Sequence, residues 1–92
     1  MIAQELLTEL LHGAYDLHVH SAPDLLPRKL DDLDMARRIA NSGMAGFVAK
    51  SHFFCTAQRA EMVRKLHPGC YEAGALCLNN AVGVILEVVG VV

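Results

Sequence analysis

Short apolar runs alternate along this chain with stretches of helical spacing, and that alternation leaves few folds open. Residues 14–19, 45–49 and 71–78 read as strands. Residues 30–42, between the first two, carry Leu33, Ala36 and Ala40, with Leu30 and Ile39, on one helical side. Residues 57–66 carry Ala60, Val63 and Leu66 in the same way. Strands separated by helices imply βαβ crossovers and a parallel sheet, because parallel neighbours cannot be joined by a tight turn. Such a sheet is covered on both faces, so its strands should be nearly continuous apolar runs. F-V-A in the second strand and V-I-L-E-V-V near the end have that character. A helix over residues 2–12 precedes the first strand, with Leu6, Leu7, Leu10 and Leu11 as its stripe and Gly13 as its stop. Residues 84–89 read as a fourth strand.

The punctuation agrees with this order. Ser21, Pro23, Asp24 and Pro27 give residues 20–29 the chemistry of a loop. Asp31 or Asp32 suits the cap or first turn of the second helix, and Gly43 ends it. Thr56 suits the N-cap of the third helix, and Pro68-Gly69 stops it. A chain of 92 residues is one small domain or part of a larger one, and 53% hydrophobic with 20% charged residues excludes disorder. Acids and bases are interspersed at a net charge of -2, with no basic run to meet nucleic acid. Three cysteines without a CxxC pair, and no basic leader, favour free thiols in a reducing, cytoplasmic setting. The apolar end, residues 81–92, is too short and too β-branched for a membrane span, which takes roughly 20 residues.

The chemistry gathers at the strand ends. In A-Y-D-L-H-V-H-S-A, residues 14–22, alternation puts Asp16, His18 and His20 on one side of the first strand. The carboxyl end of a strand is the functional end of a βα unit, and both histidines fall there. His52, in V-A-K-S-H-F, falls just beyond the same end of the second strand, with Lys50 in phase. Parallel neighbours lie about 5 Å apart, so three imidazoles can converge on one ion. Neutral imidazole suits zinc first, and manganese, iron or nickel as well. Asp16, Asp24 or a backbone carbonyl could hold the second ring nitrogen of a ligating histidine. A bare HxH has little specificity, and a histidine near a strand end is commonly an ordinary polar residue. The aspartate in phase and the third histidine at the equivalent strand end turn the balance toward a metal site.

Other chemistry-bearing residues carry less. His12 at a helix C-terminus and His67 before a turn read as structural. Lys50 divides evenly between a surface lysine and one that holds an anionic substrate or, as a carbamate, bridges metals. Arg28 and Lys29 read as solvated loop charges that could meet a carboxylate or phosphate. Cys55 reads as a buried or partly buried thiol, Cys70 and Cys77 as core or edge residues of the third strand. No G-x-G-x-x-G or P-loop follows the first strand, so nucleotide binding is disfavoured.

D-L-H-V-H-S, followed about thirty residues on by an apolar strand ending in K-S-H, resembles the first two strands of the amidohydrolase superfamily. It is equally similar to the polymerase and histidinol phosphatase (PHP) family. Within these, it looks like a group of amidohydrolase-like bacterial proteins with D-L-H-V-H-S-A-P-D, P-R-K-L, K-S-H and L-N-x-A-V-G. Here these stand at residues 16–24, 27–30, 50–52 and 78–83. The resemblance implies a metal-dependent hydrolase on a TIM-like (β/α) barrel. It implies His18 and His20 as first-strand ligands and His52 as a ligand or near-ligand from the second strand.

Such barrels run to roughly 250 residues and about eight strands. This chain offers three or four, lacks the downstream ligands and catalytic aspartate of those families, and departs from their pattern after A-V-G. It therefore reads as a single partial barrel domain, truncated or frame-shifted after about residue 83. As an enzyme module it would set a divalent ion against an amide, ester or similar bond of a small molecule. His18, His20 and His52 would hold the ion. Asp16, Asp24 and Lys50 are the candidates for supporting or catalytic roles. A PHP-like phosphoesterase shares this front end. As a non-catalytic fragment, the chain would need a partner or self-associate through exposed sheet edges.

Overall fold

The computed structural model describes residues 2–82. The elements run α1 (Ile2–Leu11), β1 (Tyr15–Val19), α2 (Asp32–Asn41), β2 (Gly46–Ala49), α3 (Ala57–Leu66), β3 (Tyr71–Ala73) and a 3-10 turn, Asn80–Val82. The three strands are parallel and form one sheet in the order β1-β2-β3. The class is therefore α/β, built of βα units. The fourth strand expected at 84–89 lies outside the described residues.

Both crossovers step the same way across the sheet, which puts α2 and α3 on one face, in contact with each other and with the strands. The core lies in that layer: Val19, Phe47 and Ala49 from the sheet, Ala36 and Ile39 from α2, Val63 from α3, and Cys70 just before β3. Met35 and Met44 close its margin. The helix faces are narrower than the apolar spacing suggests. Leu33, Ala40 and Leu66 are exposed, and the buried position at the start of α2 is an aspartate, Asp32.

Local chemistry sets the boundaries. Asp31 caps α2 by accepting a hydrogen bond from the Asp34 N–H at 2.7 Å. Gly13 and Gly43 end their helices with positive φ, the left-handed conformation that glycine adopts without strain. Thr56 is the N-cap residue of α3, as its type suggests, and its carbonyl accepts from the Ala60 N–H at 3.0 Å, but its side chain makes no capping hydrogen bond. Its buried hydroxyl donates to the Ala49 carbonyl at 2.7 Å and accepts from the Ala75 N–H at 2.8 Å. It thus ties the end of β2 to the segment after β3. That segment explains the shortness of β3: the sequence reads as a strand over 71–78, but the ladder stops at Ala73. Beyond it the chain turns to meet Thr56 instead of pairing with β2.

Gly46 shows how closely β2 and β3 approach. A Cβ there would strike the Tyr71 carbonyl, and the Tyr15 ring crosses over the same point, 6.5 Å from the Tyr71 ring. α1 stands apart from the packed layer, with Leu6, Leu7, Leu10 and Leu11 exposed. Among the described residues no helix is long and apolar enough to cross a membrane.

Candidate functional site

β1 and β2 deliver the three histidines to one end of the sheet. The Lys50 N–H donates to the Val19 carbonyl at 2.8 Å, which locks the ends of the two strands side by side just where His20 and His52 follow. The rings stand in a row. His18 and His20 have centroids 5.1 Å apart, and His52 stacks on His20 at 5.2 Å with 25° between planes. The Nε2 atoms of His18 and His20 approach to 3.1 Å. Two imidazole nitrogens on one tetrahedral zinc, each about 2.0–2.1 Å from it, stand only slightly further apart. The spacing is that of a hydrogen bond between the two rings, and the same pair could offer two imidazole donors to a divalent ion. His52 lies next to the pair, but its ring stacks on His20 instead of pointing to the same spot. Among the described residues no three His, Cys, Asp or Glu groups converge in ligand geometry.

His20 is held below its ordinary pKa of 6.5, first by burial and then by the Arg28 guanidinium. Both effects favour the neutral ring, the form that ligates metals. Its Nδ1 is buried with no hydrogen-bond partner among the described residues.

Among the described residues neither Asp16 nor Asp24 holds a histidine ring nitrogen. The register between β1 and β2 shifts between Asp16 and Val19, so the strict period of two is broken there. Asp16 accepts from the His18 backbone N–H at 3.1 Å and so braces the strand under the histidine. Asp24 is spent elsewhere. Its side chain is fully buried and accepts from Arg28 Nε at 2.8 Å, the Leu25 N–H at 2.9 Å and the Ser51 hydroxyl at 3.1 Å. Burial pushes its carboxyl up, but the hydrogen bonds from Arg28, Leu25 and Ser51 outweigh this and hold it below the usual range. Asp24 therefore pins the loop after β1 to the residue between Lys50 and His52. Lys50 contributes its backbone to the strand join, and its ammonium makes no hydrogen bond or ion pair among the described residues. Cys55 is exposed, which corrects its reading as a buried or partly buried thiol. Cys70 is buried and Cys77 half-buried.

A second group of residues fixes the loop from beneath. The loop is closed by the Ala22 N–H on the Leu30 carbonyl and the Asp32 N–H on the Ala22 carbonyl, each 2.9 Å, and contains a cis Ala22-Pro23 bond. Arg59 of α3 donates to the carbonyls of Ser21, at 3.1 Å, and of Pro23. Its Nε lies 2.9 Å from Asp32 Oδ2, an ion pair by distance without hydrogen-bond alignment. Ser21, fully buried, donates to the other Asp32 oxygen. Glu72 of β3 is buried in the same region, and among the described residues neither of its carboxyl oxygens has a hydrogen-bond partner. Burial first, and then the neighbouring Asp32 charge, pushes Glu72 up to about 8, with Arg59 and Arg64 opposing only in part. On the far side, the Asn79 side chain donates to the His52 carbonyl at 3.0 Å.

Sequence reasoning did not single out Ser21, Asp32, Ser51, Arg59 or Glu72. Asp32 reads in the sequence only as a candidate for the cap or first turn of the second helix, and Glu72 and Arg59 carry no local signal there. Ser51 and Asn79 did leave a trace, since both fall inside quoted motifs, K-S-H and L-N-x-A-V-G.

The fold and this end of the sheet define an α/β protein of parallel βα units with histidines at the carboxyl ends of its first two strands. Residues 13–89 match a family model described as a family of unknown function, DUF6282, and the chain belongs to that family. No curated protein and no solved structure matches it.

Proposed function

We propose that this chain carries the metal-holding front of a hydrolase, with His18 and His20 as ligands and His52 as the third ligand or its neighbour. The observation that carries the reading is the 3.1 Å approach of the His18 and His20 Nε2 atoms at a strand end. The stacked His52 and the neutral state favoured at His20 support it. The order β1-β2-β3, all parallel, with both helices on one face, also suits the opening units of a TIM-like (β/α) barrel, and we extend the proposal to that fold.

Zinc is the first expectation for an all-imidazole donor set, with manganese, iron or nickel as other occupants. Bound at the pair, such an ion would lower the pKa of a coordinated water toward neutrality and polarise an amide, ester or phosphoester of a small-molecule substrate. The chain's own residues do the positioning. Asp16 braces the backbone under His18. Asp24 and Ser51 hold the two histidine-bearing ends together. Asn79 fixes the His52 backbone. Lys50 borders the same strand join, within reach of a role toward an anionic substrate.

The test is zinc binding to the purified chain by calorimetry and elemental analysis. Wild type should bind stoichiometrically, with binding abolished in His18→Ala and His20→Ala and weakened at least tenfold in His52→Ala. Equal trace metal in all four proteins would remove the reading. A second reading, a non-catalytic piece that works only with a partner, is favoured by the exposed Leu17 and α1 leucines. It predicts zinc binding without turnover of any ester or phosphoester.

A further inference from the structure

We propose that Arg28 is an oxyanion anchor beside the histidines, and that the substrate presents a carboxylate or phosphate group to it. This deepens the hydrolase reading and rests on it for the word substrate, though the anchor itself stands on separate residues.

An arginine in a loop is ordinarily a mobile, solvated charge. Arg28 is not. Its Nε is spent on Asp24 Oδ2 at 2.8 Å, and Asp24 is a fully buried carboxylate. The other Asp24 oxygen is held by the Leu25 N–H and by Ser51, next to His52. The guanidinium is thereby fixed in the seam between the His20 loop and the end of β2, with about a fifth of the side chain exposed. Fixing through Nε leaves the outer edge of the fork, the Nη1 and Nη2 donors, unused. Among the described residues neither makes a hydrogen bond. A guanidinium is a planar fork that matches carboxylate and phosphate oxygens, and one already immobilised loses little entropy on binding them.

Asp24, the acid in this seam, has its charge directed into the buried network and not toward the opening. An anion at Arg28 therefore meets the unused edge of the fork and not the Asp24 carboxylate. It would hold the rest of its molecule next to the His18–His20 pair.

The experiment titrates inorganic phosphate and, separately, acetate into the metal-free full chain. Binding is followed by calorimetry and by 31P or 13C line broadening. The two anions distinguish a phosphate-bearing from a carboxylate-bearing ligand. Wild type should bind at least one of them, and Arg28→Gln should weaken that binding at least tenfold. Arg28→Lys, which keeps the charge and loses the fork, should recover only part of it. Arg37→Gln, at an exposed arginine on α2, should leave it unchanged. Because Arg28→Gln leaves Asp24 buried without its partner, the double variant Asp24→Asn/Arg28→Gln is measured beside it and should also fail to bind. His18→Ala should keep the anion site while losing zinc, so failure of the metal reading and failure of this one are told apart. No binding of either anion to wild type, equal binding by Arg28→Gln, or an equal loss in Arg37→Gln would overturn the proposal.

Discussion

Glu72 is an acid in a position built for an apolar residue. It lies in register with Phe47, which belongs to the core, and it is fully buried with Asp32, Arg59 and Arg64 acting on it. Held near 8 in the fold against an ordinary 4.5, it keeps a proton that the unfolded chain has already lost between those values. Stability from this group is therefore complete below about 4.5 and is lost as pH rises through about 8. The slope is at most about 1.4 kcal/mol per pH unit. Glu72→Gln keeps the shape and removes the titration, so urea unfolding should show a flatter stability profile between pH 5 and 8 than wild type. Parallel profiles would mean that Glu72 is not proton-linked to folding. The same neighbourhood shows why Arg59 matters from 36 and 38 positions away. It neutralises Asp32 and carries the carbonyls on either side of the cis bond. A buried carboxylate without a partner is costly, and one guanidinium meets Asp32 together with two loop carbonyls.

The elements are short, so the joins between them decide their geometry. β2 offers four residues, and three of them are buried through their whole length. Gly46 is its first residue, and the Tyr71 backbone and Tyr15 ring occupy the space a side chain would need. Backbone cannot rotate aside as a flexible side chain can. Gly46→Ala should force β2 and β3 apart and cost about 2–4 kcal/mol, on the scale of a severe core substitution. Thermal and urea melts of the variant measure this, and a melting point within a degree of wild type would contradict the close approach. Such a separation should also loosen the histidine row, because His52 follows β2 by three residues and depends on the same strand for its position.

Across the whole molecule, apolar surface is unevenly covered. The helix layer buries one face of the sheet, while Leu17 is 70% exposed, Tyr15 and Tyr71 about half, and the α1 leucines stand clear of the core. Large exposed apolar side chains in this number are commonly covered in an assembly. Self-association is therefore expected. In analytical ultracentrifugation the chain should sediment faster as its concentration rises, and Leu7→Lys/Leu10→Lys should reduce the effect. A single monomeric species at every concentration would exclude it.

Period and punctuation in the residues alone determined a good part of this protein. Alternating strand and helix signals produced the α/β class and the parallel order, and α3 lies where its spacing put it. The H-x-H and K-S-H motifs already marked the strand ends where the imidazoles meet. These features are local: each depends on neighbours within a few positions, and a linear reading sees those. Asp24 meeting Ser51, Arg59 reaching back to Ser21 and Pro23, and Glu72 becoming a buried acid were decided only in three dimensions. So was the tie that the Thr56 hydroxyl makes between the end of β2 and Ala75. Each of those joins groups far apart in sequence. No period encodes such contacts. A buried polar atom takes whichever partner the packed chain brings within about 3 Å, and which partner that is follows from the fold as a whole.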